Sequence, residues 1–146
     1  MNEIIFPKLI FPEIPLQIYK DKENYFCFDV FRRKKVVLTK EEWVRQHVAH
    51  FLIQKNYAKS RMVLEKSFAL GEKKFRADIV VYNRDLQPEL LVECKAADIF
   101  LTEKSLDQLI HYNFSLRVPL LMLTNGLEVL YYAFEKKELK ILKHLD

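Results

Sequence analysis

The sequence predicts an α/β fold in which a central mixed sheet is flanked by two helices and preceded by an N-terminal β-hairpin. Three features point to it. A capped helical pattern begins near residue 40, three apolar runs suited to strands fill 62–96, and a second helical pattern at 102–116 leads into a further apolar run and an Asn-Gly turn. The hydrophobic period thus switches between about 3.6 and 2 residues along one chain, which defines a mixed class.

Taken in order, residues 25–31 (YFCFDVF) and 35–38 (KVVL) gather β-branched and aromatic residues around the basic turn Arg32-Arg33-Lys34, a hairpin pattern. Thr39-Lys40-Glu41-Glu42 reads as a capping box, with Thr39 at the N-cap and Glu42 reaching back from the third helical position. The helix is expected over 40–55. Val44, Val48, Phe51 and Leu52 mark its inward stripe, and Glu41 falls on that stripe, seven residues before Val48. Glu41 is therefore expected to face the core and Glu42 to face away. Runs 62–69, 77–82 and 90–96 are strands separated by turn-rich stretches at Gly71 and 83–88, an order that allows a meander. The second helix places Leu106, Leu109, Ile110 and Phe114 on one stripe. Asn125-Gly126, between strands at 120–123 and 127–134, predicts a type I′ hairpin turn.

With 146 residues, half of them hydrophobic and only two glycines, the chain can bury one real core and is short for two. A single domain over 1–146 is expected, with its core at about 40–134 and an extension and hairpin over 1–38. Cys27 and Cys94 stand far apart with no CxxC partner, which suggests neither a disulfide framework nor a zinc site and suits a cytoplasmic protein. Glu3, Lys8, Glu13 and three prolines interrupt the first sixteen residues, so neither a signal peptide nor a membrane span is expected there. His47 and His50 are three apart on the first helix but lack a third ligand, so packing is expected of them. Charge is unevenly spread: residues 32–76 hold 13 Lys/Arg against 4 Asp/Glu, whereas the segments before and after are net acidic. Such a basic middle suits either a phosphate-binding surface or an ordinary solvated face.

The most informative pattern is Asp78, then Glu93-Cys94-Lys95 fifteen residues on, because each places ionisable groups beside a strand that should be buried. Glu93 and Lys95 are two apart and share a strand face, and Asp78 joins them if the two strands are neighbours. Buried charges must neutralise one another, stay solvated at a sheet edge or bind a cation. The pattern taken alone fits an ion-pair network better than a metal site. A hard divalent ion would use both carboxylates, with the backbone carbonyl of Cys94 as a third ligand, and Lys95 would then support a water nucleophile. The Cys94 thiol itself should point to the opposite, apolar face.

Asp78 with Glu93-Cys94-Lys95 resembles the PD-(D/E)XK nuclease superfamily. Together with Glu41-Glu42-Trp43-Val44-Arg45-Gln46-His47, Glu65, Arg76-Ala77-Asp78, Gln108…Tyr112 and Thr124-Asn125-Gly126, it is similar to the N-terminal nuclease domain of type I restriction enzyme R subunits, in a short stand-alone form, over about residues 25–134. The resemblance implies a restriction-endonuclease-like core, catalytic Asp78, Glu93 and Lys95, and Mg²⁺, replaceable by Mn²⁺, on Asp78 and Glu93. It implies Glu41 as a further holder of the metal or its waters, and Gln108 and Tyr112 as positioners of the nucleic-acid backbone. Glu65 matches a recurring position and equally suits pairing with Arg76 or Lys74. Ala77 replaces the proline of the superfamily's name, which supplies no ligand. No GxxxxGK[ST] occurs, so no ATP-driven motor is expected of this chain.

The function expected is therefore a Mg²⁺-dependent endonuclease or exonuclease acting on DNA. The alternative is a catalytically silent module of the same fold that binds nucleic acid or a restriction or repair partner. DNA against RNA, and a homodimer against a separate motor or recognition protein, stay open.

Overall fold

The computed structural model describes residues 6–135 and 138–142. Glu3 and the two ends of the expected 1–146 domain lie outside the described residues. Strands β1 (Ile18–Asp21), β2 (Asn24–Asp29) and β3 (Lys34–Val37) form an antiparallel sheet in that order. The predicted hairpin is its β2–β3 half. All four β1 residues are exposed, so no apolar alternation announces that strand. Asp29, fully buried, holds the β2–β3 turn by accepting from the N–H groups of Phe31 (2.9 Å) and Arg32 (3.1 Å) and from the Arg32 guanidinium.

Helix α1 (Lys40–Gln54) starts where Thr39 Oγ1 accepts the Glu42 N–H at 3.0 Å. Only this half of the capping box forms, because the Glu42 carboxylate accepts from Arg32, Arg45 and Gln46 instead. The expected orientations of Glu41 and Glu42 are reversed: Glu42 is buried, and Glu41 leaves 47% of its side chain exposed. The helix is enclosed on more than one side. Val44, Val48 and Leu52 meet the larger sheet, while Arg45, Gln46, His47 and Ala49 are buried as well. An apolar stripe reports only the first of these faces. His47 Nδ1 lies 2.8 Å from the Trp43 carbonyl, and His50 packs edge-on to Phe31, so both histidines have packing roles.

The larger sheet runs β4 (Met62–Leu70), β5 (Lys73–Tyr82), β6 (Pro88–Cys94), β7 (Leu120–Thr124), β8 (Val129–Glu135), β9 (Glu138–Leu142), antiparallel except for the β6–β7 pair. Helix α2 (Glu103–Leu116) supplies the crossover that a parallel pair requires. The observed architecture is thus the predicted α/β class, with the β4–β6 meander in place. Val44, Val48 and Leu52 of α1 pack with Ile79, Leu90 and Val92, whereas Leu109 of α2 packs with Leu91, Leu121 and Leu123 on the opposite face. Each such side chain stabilises the fold by roughly 1.5–3 kcal/mol, and β6 and β7, covered on both faces, anchor the sheet. No helix among the described residues is long and apolar enough to cross a membrane.

Two positions in this frame depart from expectation. Phe114 is 57% exposed, and Asn113 takes the inward place. The Asn113 side chain accepts the Val118 N–H at 2.9 Å and donates to the Val118 carbonyl at 3.0 Å, closing the left-handed C-cap at Arg117. The β7–β8 turn is not type I′. Gly126 has φ +86° but Asn125 lacks the positive φ that turn requires, and four residues, 125–128, separate the paired Thr124 and Val129. Asn125 is turned inward, donating to the Ile99 carbonyl at 2.8 Å and accepting from the N–H groups of Leu127 and Glu128. A Cβ on Gly126 would lie 2.7 Å from buried Leu9, and the Gly126 carbonyl accepts the Ile10 N–H. Gly126→Ala is expected to cost about 1–3 kcal/mol, read as a lowered melting temperature with an unchanged far-UV spectrum.

Candidate active site

Asp78 sits where two ladders of the sheet stop pairing. On one side, β4 and β5 pair through Leu64↔Ile79 and resume at Lys66↔Ala77, skipping Glu65 and Asp78. Glu65 has φ +55° in the middle of a strand, a conformation costing on the order of 1–3 kcal/mol unless its surroundings hold it. Its carboxylate is held by Arg32 Nη1 at 2.7 Å. On the other side, β5–β6 pairing runs only as far as Ile79↔Val92. The Cys94 N–H then donates to Asp78 Oδ2 at 2.7 Å. Packing switches faces at the same point: Met62, Leu64, Ile79 and Val81 face α1, but Phe68, Phe75 and Ala77 join the α2 side. The outer end of the β4–β5 hairpin therefore turns over α2 and brings Lys74 and Arg76 beside Glu93 and Lys95.

Carboxylates crowd this gap. Asp78 is buried and adjoins both Glu41 and Glu93. Burial first, and then the Asp78 charge, pushes Glu41 above the usual carboxylate range; Arg45 opposes the shift. The same causes in the same order push Glu93 up to about 8, with Lys95 opposing. Among the described residues Glu93 Oε2 is buried without a hydrogen-bond partner, and Oε1 lies 3.8 Å from Lys95 Nζ. Cys94 is buried in the α1-side core, and burial raises its thiol well above the ordinary value, which disfavours the thiolate.

Two arginines that sequence pattern did not single out organise the acids. Arg45 gives Nε (3.1 Å) and Nη2 (2.6 Å) to Asp78 Oδ1, Nη1 to Glu42 at 2.6 Å and Nη2 to Glu41 at 2.9 Å. Arg32 bridges Asp29, Glu42 (2.7 Å) and Glu65 (2.7 Å). A signal for Arg45 was present, because it stands three and four residues from Glu42 and Glu41 on one helix. Arg32, in a turn of the other sheet, had none. Six carboxylates (Asp29, Glu41, Glu42, Glu65, Asp78, Glu93) thus meet Arg32, Arg45 and Lys95, with Arg76 at 3.8 Å from Glu65.

Of the remaining expected site residues, Gln108 and Tyr112 line the cleft of about 240 Å³ that contains Glu93 and Lys95. Gln108 is exposed, while the Tyr112 ring stacks on Phe75 at 4.2 Å, so its ring has a packing role beside any other. Glu65 pairs with Arg32, Arg45 and Arg76, and not with Lys74. Among the described residues no group of three or more His, Cys, Asp or Glu side chains is already arranged to enclose a metal ion. Arg45 accounts for this at Asp78, since it and the Cys94 N–H take both carboxylate oxygens.

Glu93 yields a test of this electrostatic frame. Its folded carboxyl holds a proton up to about 8, against 4.5 when unperturbed, so between those values the folded state binds more protons than the unfolded one. Its contribution to stability is complete below about 4.5 and is lost as pH rises through 8. In EDTA the melting temperature is expected to fall across that window, and Glu93→Gln to flatten the fall. An identical slope in the variant would contradict the assignment.

A mixed sheet between two helices, with acids and a lysine gathered where two of its strands part, defines a class of α/β domain. This chain belongs to the family of the type I restriction enzyme R protein N terminus (HSDR_N), whose model matches residues 40–145. It is also similar to a fragment structure assigned as an HsdR subunit of a type I restriction enzyme from Vibrio vulnificus YJ016. The identity is 20%, the TM-score 0.55, and the match covers 74% of this chain and 23% of that one. That likeness is one of fold, and this chain spans about a quarter of the other's length. Comparison with curated proteins gives no match.

Proposed function

We infer that this domain is a divalent-metal-dependent phosphodiesterase of the PD-(D/E)XK type, acting on DNA in the cytoplasm. The observation that supports it best is Glu93 Oε2, buried and without a hydrogen-bond partner among the described residues, set beside Asp78 and Glu41, with the Asp78 charge raising the proton affinity of both glutamates. A cation would give Glu93 Oε2 a partner and offset the charge of all three. Oxygen-only donors of this kind suit Mg²⁺ or Mn²⁺, so the residues fit the ion, with Asp78, Glu93, the Cys94 carbonyl and Glu41 as its holders. When bound, the ion supplies Lewis-acid chemistry to a phosphodiester and lowers the pKa of water. Lys95, on the same strand face as Glu93, brings positive charge to the reacting phosphate and helps move the proton of the attacking water. Gln108 offers an amide to a backbone oxygen from the opposite wall of the cleft. Arg45 holds Asp78 and Glu41 in orientation.

One observation favours the silent-module reading: both Asp78 oxygens already accept hydrogen bonds. Titration calorimetry with Mn²⁺, beside cleavage of plasmid and single-stranded DNA with an EDTA control, separates the two. Nuclease function requires ion binding and EDTA-sensitive cleavage. Salt-dependent DNA binding without cleavage belongs to the silent module.

A further inference from the structure

Two clefts open on this end of the molecule and share Arg76. One, of about 590 Å³, runs beside β3 and is lined by Lys34, Lys35, Val37, Glu41, Glu65 and Arg76 among others. The second contains Glu93, Lys95 and Gln108. Four consecutive residues of β3, 34–37, border the first cleft. Alternate side chains of a strand point to opposite faces, so four in a row reach one cleft only if the strand presents its edge to it. Among the described residues β3 pairs with β2 alone, which leaves its other edge without a strand partner, although the Val37 carbonyl accepts the Thr39 N–H at 3.2 Å.

The charges on that edge select its occupant. Arg32 is consumed by internal carboxylates. Lys34 and Lys35 are exposed and, among the described residues, not ion-paired, with the Lys35 ammonium resting 4.4 Å from the centre of the Phe26 ring. Lysines at an open edge discourage the addition of a protein strand. The same lysines, flanking a row of peptide N–H groups, suit a polyanion. With Arg76 between the clefts and Lys95 in the second, the cations follow a path past the acidic floor.

We propose that the β3 edge is a phosphate rail. A nucleic-acid strand lies along it with its phosphates on Lys34, Lys35 and backbone N–H groups, passes Arg76, and enters the cleft of Glu93, Lys95 and Gln108. This rests on the reading of the site as one that acts on nucleic acid, and it extends that site to a sheet preceding residue 40, where the family match begins.

The test is fluorescence anisotropy of labelled oligothymidylate with the whole chain in EDTA across a potassium chloride series. Each phosphate contact on a single strand contributes about 0.7 to the slope of log K against log salt, so a K34A/K35A double variant is expected to lower the slope by about 1.4 at an unchanged melting temperature. K55A/K59A, just beyond the far end of α1 and in neither cleft, should leave it unaltered. A parallel series with oligouridylate distinguishes DNA from RNA. Equal losses in both doubles would mean diffuse attraction and overturn the rail. So would an unchanged slope in K34A/K35A with binding intact, leaving the edge to a peptide strand. A wild-type protein that binds neither oligonucleotide and shows no metal-dependent cleavage overturns the nucleic-acid reading itself.

Discussion

Lys95→Ala is expected to lower metal-dependent DNA cleavage by about 10²–10⁴-fold while the domain melts within a few degrees of wild type. Lys95 suits this test because its side chain is 30% exposed and its nearest carboxylate, Glu93, is 3.8 Å away, so little stability hangs on it. Asp78 needs a gentler change. Asp78→Ala would strand the buried Arg45 guanidinium and confuse unfolding with inactivity, whereas Asp78→Asn keeps an oxygen for the Cys94 N–H and removes the charge. It is expected to abolish both cleavage and Mn²⁺ binding. Lys95→Ala should spare Mn²⁺ binding, which separates the ion's holders from the lysine's part in proton transfer. Undiminished cleavage by folded samples of both variants would assign the activity to other residues.

The elements that position the site were legible because they obey local rules. Thr39 caps α1, Thr102 caps α2, and the Leu90–Val92 run of β6 and the Leu120–Leu123 run of β7 are apolar because a helix covers each face. The closeness of Asp78 and Glu93 was likewise legible, since neighbouring antiparallel strands bring them opposite each other once Ile79 meets Val92. What escaped was tertiary. The orientation of Glu42 depends on Arg32, which is ten residues away and belongs to the other sheet. The conformation of Asn125 depends on the Ile99 carbonyl, and that bond overrides the turn type its sequence prefers. The left-handed Glu65 is the clearest case: nothing local favours φ +55° for a glutamate in a strand, and only the converging arginines account for it. Site residues visible in the sequence are thus those whose chemistry is their own, and the missing ones are the arginines that keep the acids together.

Arg45→Ala carries the largest expected loss of stability. The side chain is 6% exposed and gives four hydrogen bonds to Asp78, Glu41 and Glu42. Among the described residues, its removal leaves Asp78 and Glu41 without a cationic partner in hydrogen-bonding range and Glu42 with Arg32 as its one cation. Breaking a buried pair from one side costs about 3–5 kcal/mol, or roughly 6–20 °C in melting temperature for a chain of this size. Arg45→Lys should recover only part of this, because an ammonium cannot serve three carboxylates in the planar geometry of a guanidinium. The response to metal is more telling than the loss. An ion that binds only the folded state raises stability with its concentration, and without Arg45 both Asp78 Oδ1 and Glu41 are free to take it. Mn²⁺ is therefore expected to raise the melting temperature of Arg45→Ala by more than that of wild type, and Asp78→Asn to show no such rise. If Mn²⁺ stabilises none of the three proteins, the acids are held together by the arginines for structural reasons, and the metal-dependent reading fails.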